Sequence, residues 1–190
     1  MKFIHHDTVI HTNIDLIKYN SCILKRIINE AEDNKKDSII FESFLDHEGI
    51  LFLFENLLLY PYFEPKTYNT YQDLCSNLKI GIIKPILEYY QMKNILILIT
   101  DLINNEKEYD ISELKVYFEL KKYFRLTTLP LLNINIKKIV LKNIIEKTIN
   151  IDDLDLVTRK EILTFIFNNV RQYYVYENIP SKYILDLDNR

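Results

Sequence analysis

The chain is predicted to be an α+β protein, a small sheet covered by helices and followed by an all-α extension. Three observations predict it. Short extended runs rich in Ile, Val and Phe open the chain and recur near residue 40. Segments with apolar residues at a 3.6-residue period fill most of the remainder, and beyond a polar stretch at Asn104-Asn105-Glu106-Lys107-Glu108 every recognisable pattern is helical. A chain of 190 residues with 48% hydrophobic and 27% charged content has enough apolar material for a core and enough charge to stay in solution.

Met1 to Ile4 and Thr8 to His11 read as two strands joined through His5-His6-Asp7, and Ser38-Ile39-Ile40-Phe41 as a third strand. Between them, Asn13 opens a short helix. Asn20 or Ser21 caps a second one, with Ile23, Leu24, Ile27 and Ile28 on one face. Asp46 leads into HEGILFLFENLLLY, a helix apolar almost all round, ended by Pro61 and Pro65. The irregular PYFEPKTYNTYQDLCSN that follows has room for one edge strand. A helix is expected from about Lys84 to Met92, with Pro85 in its first turn, and another from Asn94 to Ile103.

After residue 104, Ser112 and Glu113 open SELKVYFELKKYF, and IKKIVLKNIIEKT forms a further helix. Thr158 with Glu161 reads as a capping box for RKEILTFIFNNV. The expected division is 1–103, 104–176 and a tail over 177–190. Tyr89-Tyr90-Gln91-Met92 is echoed by Tyr123-Phe124-Arg125-Leu126, but two copies do not make a repeat array.

Much chemistry is excluded by composition. With Gly49 and Gly81 the only glycines, no phosphate-binding loop or nucleophile elbow can be built. Cys22 and Cys75 have no metal-ligand spacing and read as reduced thiols packed as small apolar groups. His5, His6 and His11 sit at strand positions without a carboxylate at ligand spacing, so no metal is expected. A net charge of -3 with scattered Lys and Arg argues against nucleic acid. The longest apolar run, Ile95 to Ile99, is far short of the roughly 20 residues that span a membrane. No signal-peptide pattern opens the sequence, so a cytoplasmic or nuclear protein is expected, with no cofactor and no enzymatic activity. The scarcity of Ala beside abundant Ile, Asn, Lys and Tyr follows AT-rich codons, as in a large DNA virus or an AT-rich protist.

The order strand, turn, strand, two helices, strand, long helix, link and helix pair resembles the BTB/POZ fold, shared with elongin C and the small cullin adaptor that holds F-box proteins. Three stretches carry the resemblance. Ser21, Leu24, Ile27 and Ile28 match a Ser-x-x-Φ-x-x-Φ-Φ pattern, where Φ is apolar; SIIFESFLDHEGILFLFENLLLY is similar to the family's strand, turn and long helix. Glu88-Tyr89-Tyr90-Gln91-Met92-Lys93-Asn94-Ile95 resembles the helix pair, although Ile86-Leu87 replace its two alanines. The resemblance covers about residues 1 to 103. The helices after 104 are similar to the BACK extension, and an alternative register would make Tyr123-Phe124 the helix pair.

What the resemblance implies is a non-catalytic adaptor linking to, or interfering with, a cullin-based ubiquitin ligase. Ile28-Asn29-Glu30 matches the Φ-x-Glu that approaches cullin, and Tyr90 the tyrosine of the helix pair, so Ile28, Glu30 and Tyr90 are the expected partner contacts. Removing both polar contacts, by Tyr90→Ala with Glu30→Ala, should then weaken cullin binding and leave the fold intact. Tyr89 and Met92 are expected in the core. Long-form BTB domains exchange an N-terminal segment within homodimers; Lys2 already lies in the first expected strand, so a heterotypic adaptor is favoured. Two other classes fit an Ile-rich chain without motifs: an all-helical viral antagonist similar to the B-cell-lymphoma apoptosis regulators, which would lack strands, and a structural virion component.

Overall fold

The computed structural model describes residues 1–59, 79–105, 109–126 and 129–169. The chain separates into two compact units, Met1–Ile99 and a second from Thr100 onward. The expected edge strand, Pro61, Pro65, Cys75 and the tail over 177–190 lie outside the described residues.

The first unit begins with β1 (Lys2–His5) and β2 (Thr8–Ile10), an antiparallel hairpin with Phe3 opposite Ile10 and Ile4 opposite Val9. Its two-residue turn starts with His6 at φ 51, a left-handed conformation that reverses the chain. β3 (Ser38–Ile40) pairs in parallel with β1, placing Ile39 beside Phe3 and Ile40 beside Ile4, so the sheet order is β2-β1-β3. The α+β expectation holds, with the N-terminal strand at the centre of a three-stranded sheet. Alternation sorts the side chains: Phe3, Ile10 and Ile39 are buried on one face, while Ile4, Val9 and Ile40 share the other.

The crossover from β2 to β3 is made by α1 (Ile14–Asn20) and α2 (Cys22–Asp33). Asn13 caps α1 by accepting from the amides of Asp15 and Leu16. Ser21 closes α1 and caps α2, accepting from the Leu24 amide at 3.0 Å. Leu24, Ile28 and Ala31 turn one face of α2 into the core. Cys22 is exposed at the first position of α2, not packed as expected, because the buried stripe starts at Leu24.

Asp46 caps α3 (His47–Leu51) through the Gly49 amide at 2.7 Å. The helix widens into a π-helical segment, Phe52–Leu57, where the Leu58 amide reaches the Leu53 carbonyl five residues back. This all-round apolar stretch buries Ile50, Leu53, Phe54 and Leu57, and Phe54 stacks on Phe41 at 4.6 Å between ring centroids. Each such side chain contributes roughly 1.5–3 kcal/mol by leaving water.

Helix α4 (Ile80–Tyr89) starts four residues earlier than expected, leaving Pro85 inside it. Ile80, Ile83, Ile86 and Leu87 form a buried stripe, and its burial outweighs the hydrogen bond that proline cannot make. Gly49 is what lets α3 approach α4: a Cβ there would lie 2.8 Å from the Ile82 carbonyl oxygen.

Helix α5 (Ile95–Asn105) carries the chain from the first unit to the second. The second unit adds α6 (Ile111–Phe124), α7 (Ile134–Ile145), a single 3-10 turn at Ile151–Asp153, and α8 (Leu156–Asn169). Asp110, two residues before the expected Ser112, caps α6. Asn104 anchors the chain before α7: its amide nitrogen donates to the Leu131 carbonyl and its side-chain oxygen accepts from the Asn133 amide.

The echo between Tyr89-Tyr90-Gln91 and Tyr123-Phe124-Arg125 is a repeated helix ending. Gln91 and Arg125 are both left-handed, at φ 52 and φ 49, after an edge-to-face aromatic pair.

Candidate protein-interaction surface

Of the three expected contacts, only Glu30 is at the surface. Its carboxylate lies on the last turns of α2, 3.8 Å from Arg26 one helical turn back, a solvated pair that contributes little to stability. Ile28 is fully buried and packs inward from the same helix.

Tyr90 is also a core residue, only 2% exposed, with its ring edge-on to Phe41 at 5.8 Å. Burial pushes its phenol well above the ordinary tyrosine value. The exposed tyrosine is Tyr89, at 43%, and Met92 is buried as expected. The two tyrosines therefore exchange the roles the sequence suggests. The cause is the helix ending: the amide of Met92 bonds to the Leu87 carbonyl at 2.9 Å, drawing Met92 into the core around the left-handed Gln91. With the last turn held in that way, Tyr90 faces the sheet and Tyr89 faces out.

Tyr89 does not stand alone. Phe44, 69% exposed on the connection after β3, meets its ring edge-on at 5.2 Å. Large aromatic groups of this kind, half in water and held by a neighbour, are suited to anchoring in a pocket of another protein. No sequence periodicity marks Phe44, since it lies outside every regular element.

A cleft of about 710 Å³ runs beside β3. Ile27, Glu30, Ala31 and Asn34 of α2 and its cap form one wall, and Ser38 to Ile40 the other. Glu30 thus overlooks a groove beside a strand, while the Phe44–Tyr89 step lies beyond that strand's end.

Two clusters of ionisable groups are packed rather than open. In the first unit, His5 is buried with Nδ1 2.9 Å from Nδ1 of His47 and Nε2 3.2 Å from the Glu42 carbonyl. Burial, followed by the neighbouring His6, pushes the His5 pKa down. His11 is elsewhere, its backbone amide bonded to Glu55, and the described residues contain no group of three or more side chains placed to hold a metal.

In the second unit, Lys121 is buried with its ammonium 2.5 Å from the Thr158 hydroxyl and 3.5 Å from Asp155. Burial lowers its pKa, against the opposing carboxylates of Asp155 and Glu161. Thr158 is not the cap of α8. Asp155 takes that role, accepting from the amides of Val157 and Thr158 at 3.1 Å, so the helix starts at Leu156 and Thr158 lies inside its first turn.

No described helix is long and apolar enough to cross a membrane. Comparison with protein-family models, with curated proteins and with solved structures finds no significant match for the chain.

Proposed function

We propose that the chain is a non-catalytic adaptor of BTB/POZ type, which joins other polypeptides and links to or interferes with a cullin-based ubiquitin ligase. The observation that carries the reading is the exposed aromatic step of Phe44 and Tyr89, at the end of the helix that the resemblance assigns to partner contact. Supporting it is the order of elements, with two strands, two helices, a third strand returning beside the first, and a helix pair. The three-stranded sheet speaks against the all-helical apoptosis-regulator class.

The test is binding of the full chain to purified cullin N-terminal domains, followed by calorimetry. Glu30→Ala combined with Phe44→Ala and Tyr89→Ala should weaken association at least roughly tenfold, as loss of anchoring aromatics does. Undiminished binding by the triple variant would refute this surface. A chain that binds no cullin refutes the ligase connection.

A further inference from the structure

The edge of β3 has three properties that coincide. The first is backbone direction. In the parallel ladder the Lys2 amide donates to the Asp37 carbonyl at 2.7 Å and the Phe41 amide to the Ile4 carbonyl at 2.8 Å. Residues alternate in such a ladder, so the N–H and C=O groups of Ser38 and Ile40 point away from β1. Among the described residues no strand pairs with that side.

The second is an apolar row. Val9, Ile4 and Ile40 are direct cross-strand neighbours on the outer face, and the row stops at Ile40, which is 72% exposed. Natural edge strands are commonly guarded by a charge, a proline or a bulge. Here the outward residue at the open edge is isoleucine, and Lys36 and Asp37 precede the strand without interrupting it. The third is room: the cleft between α2 and β3 runs along this edge.

We propose that β3 takes up a fourth strand, an extended segment of a partner protein that hydrogen-bonds to Ser38 and Ile40 and sets a β-branched apolar side chain beside Ile40. Backbone pairing supplies the attachment and the continued row supplies selectivity, the usual division of labour in strand addition. The chemistry recognised is an unpaired, β-prone peptide. A folded helix presents no free ladder groups and does not fit. The inference rests on the reading of this chain as a protein-binding module, but not on cullin.

The probe is an acetylated, amidated peptide Lys-Thr-Val-Ile-Val-Thr-Glu, titrated into the full chain labelled with nitrogen-15. Amide shifts should centre on Ser38 and Ile40, and both amides should exchange with solvent at least roughly tenfold more slowly in the complex. Ile40→Lys should abolish binding while circular dichroism stays unchanged, since the side chain is exposed. A peptide N-methylated at alternate residues, unable to pair along one edge, should not bind.

Equal binding of the methylated peptide, shifts that map elsewhere, or no binding at millimolar peptide would overturn the proposal. So would a concentration-dependent dimer with the Ser38 and Ile40 amides already protected, because a second copy would then occupy the edge. Peptide binding that persists in the Phe44→Ala, Tyr89→Ala variant separates this edge from the aromatic step, so either reading can fail alone.

Discussion

The hydroxyl of Ser21 donates to the carbonyl of Tyr90 at 2.5 Å while accepting from the amide of Leu24 at 3.0 Å. One buried side chain thereby caps α2 and fixes the end of α4, two segments separated by 69 positions in the chain. Ser21→Ala should remove the cap and strand a buried carbonyl, costing about 2–3 kcal/mol together. Urea denaturation measures it. A loss below about 0.5 kcal/mol, the scatter of neutral surface changes, would mean that water or a shifted backbone replaces both bonds.

The neighbouring tyrosines should respond in opposite ways. Tyr90→Ala empties a core site against Phe41 and should cost about 3 kcal/mol or more. It should destabilise the unit as a whole, which corrects the expectation that this substitution spares the fold. Tyr89→Ala with Phe44→Ala should leave the melting temperature within about 3 °C of the parent, as exposed positions do. Thermal melts of the two variants side by side decide; equal losses would contradict the assigned faces.

Acid should weaken the first unit through the His5–His47 contact. Two imidazoles sharing one short bond need a donor and an acceptor, and a protonated His5 can only donate. The folded-state pKa of His5 lies below its ordinary 6.5, with burial the chief cause. The unfolded chain consequently binds the proton first. Stability from this group is complete above pH 6.5 and is lost as pH falls toward the lower folded value. Urea midpoints between pH 5 and 8 should fall on acidification, and His5→Gln should flatten that slope. A variant slope as steep as the parent's would assign the acid effect to other groups.

In the second unit, Asp155→Ala should be among the most damaging single changes. It uncaps α8 and leaves the buried Lys121 ammonium without its nearest carboxylate, a loss of about 3–5 kcal/mol. Lys121→Met should cost less, because Asp155 retains two amide donors. A double-mutant cycle measures the coupling. If Asp155→Ala costs only about 1 kcal/mol, it is acting as an ordinary cap and the lysine does not depend on it.

The strands were legible because alternation and β-branched runs are short-range signals, and the N-caps at Asn13, Ser21 and Asp46 sit where Asn, Ser and Asp precede apolar periodicity. Pro85 misled the start of α4, since a local rule met a buried stripe four residues longer than itself. Which of Tyr89 and Tyr90 faces out was not legible. The answer depends on a left-handed Gln91, a conformation that composition announces only when glycine supplies it. Phe44 was missed because its ring partner, Tyr89 at the end of α4, lies 45 positions later in the chain. The Thr158–Glu161 pair had the right spacing for a cap, but Asp155 caps the helix three residues earlier and leaves Thr158 inside it.

Placing β1 between β2 and β3 also has a temporal meaning. A chain made from its N-terminus delivers the hairpin first, yet that two-stranded piece is marginal alone and cannot complete the sheet until Ser38–Ile40 has left the ribosome. The middle strand is thus made before both of its neighbours and must wait for the second. Removing Lys2–His5 would leave the outer two strands with no shared partner, so cleavage within β1 and loss of the sheet should coincide in limited proteolysis.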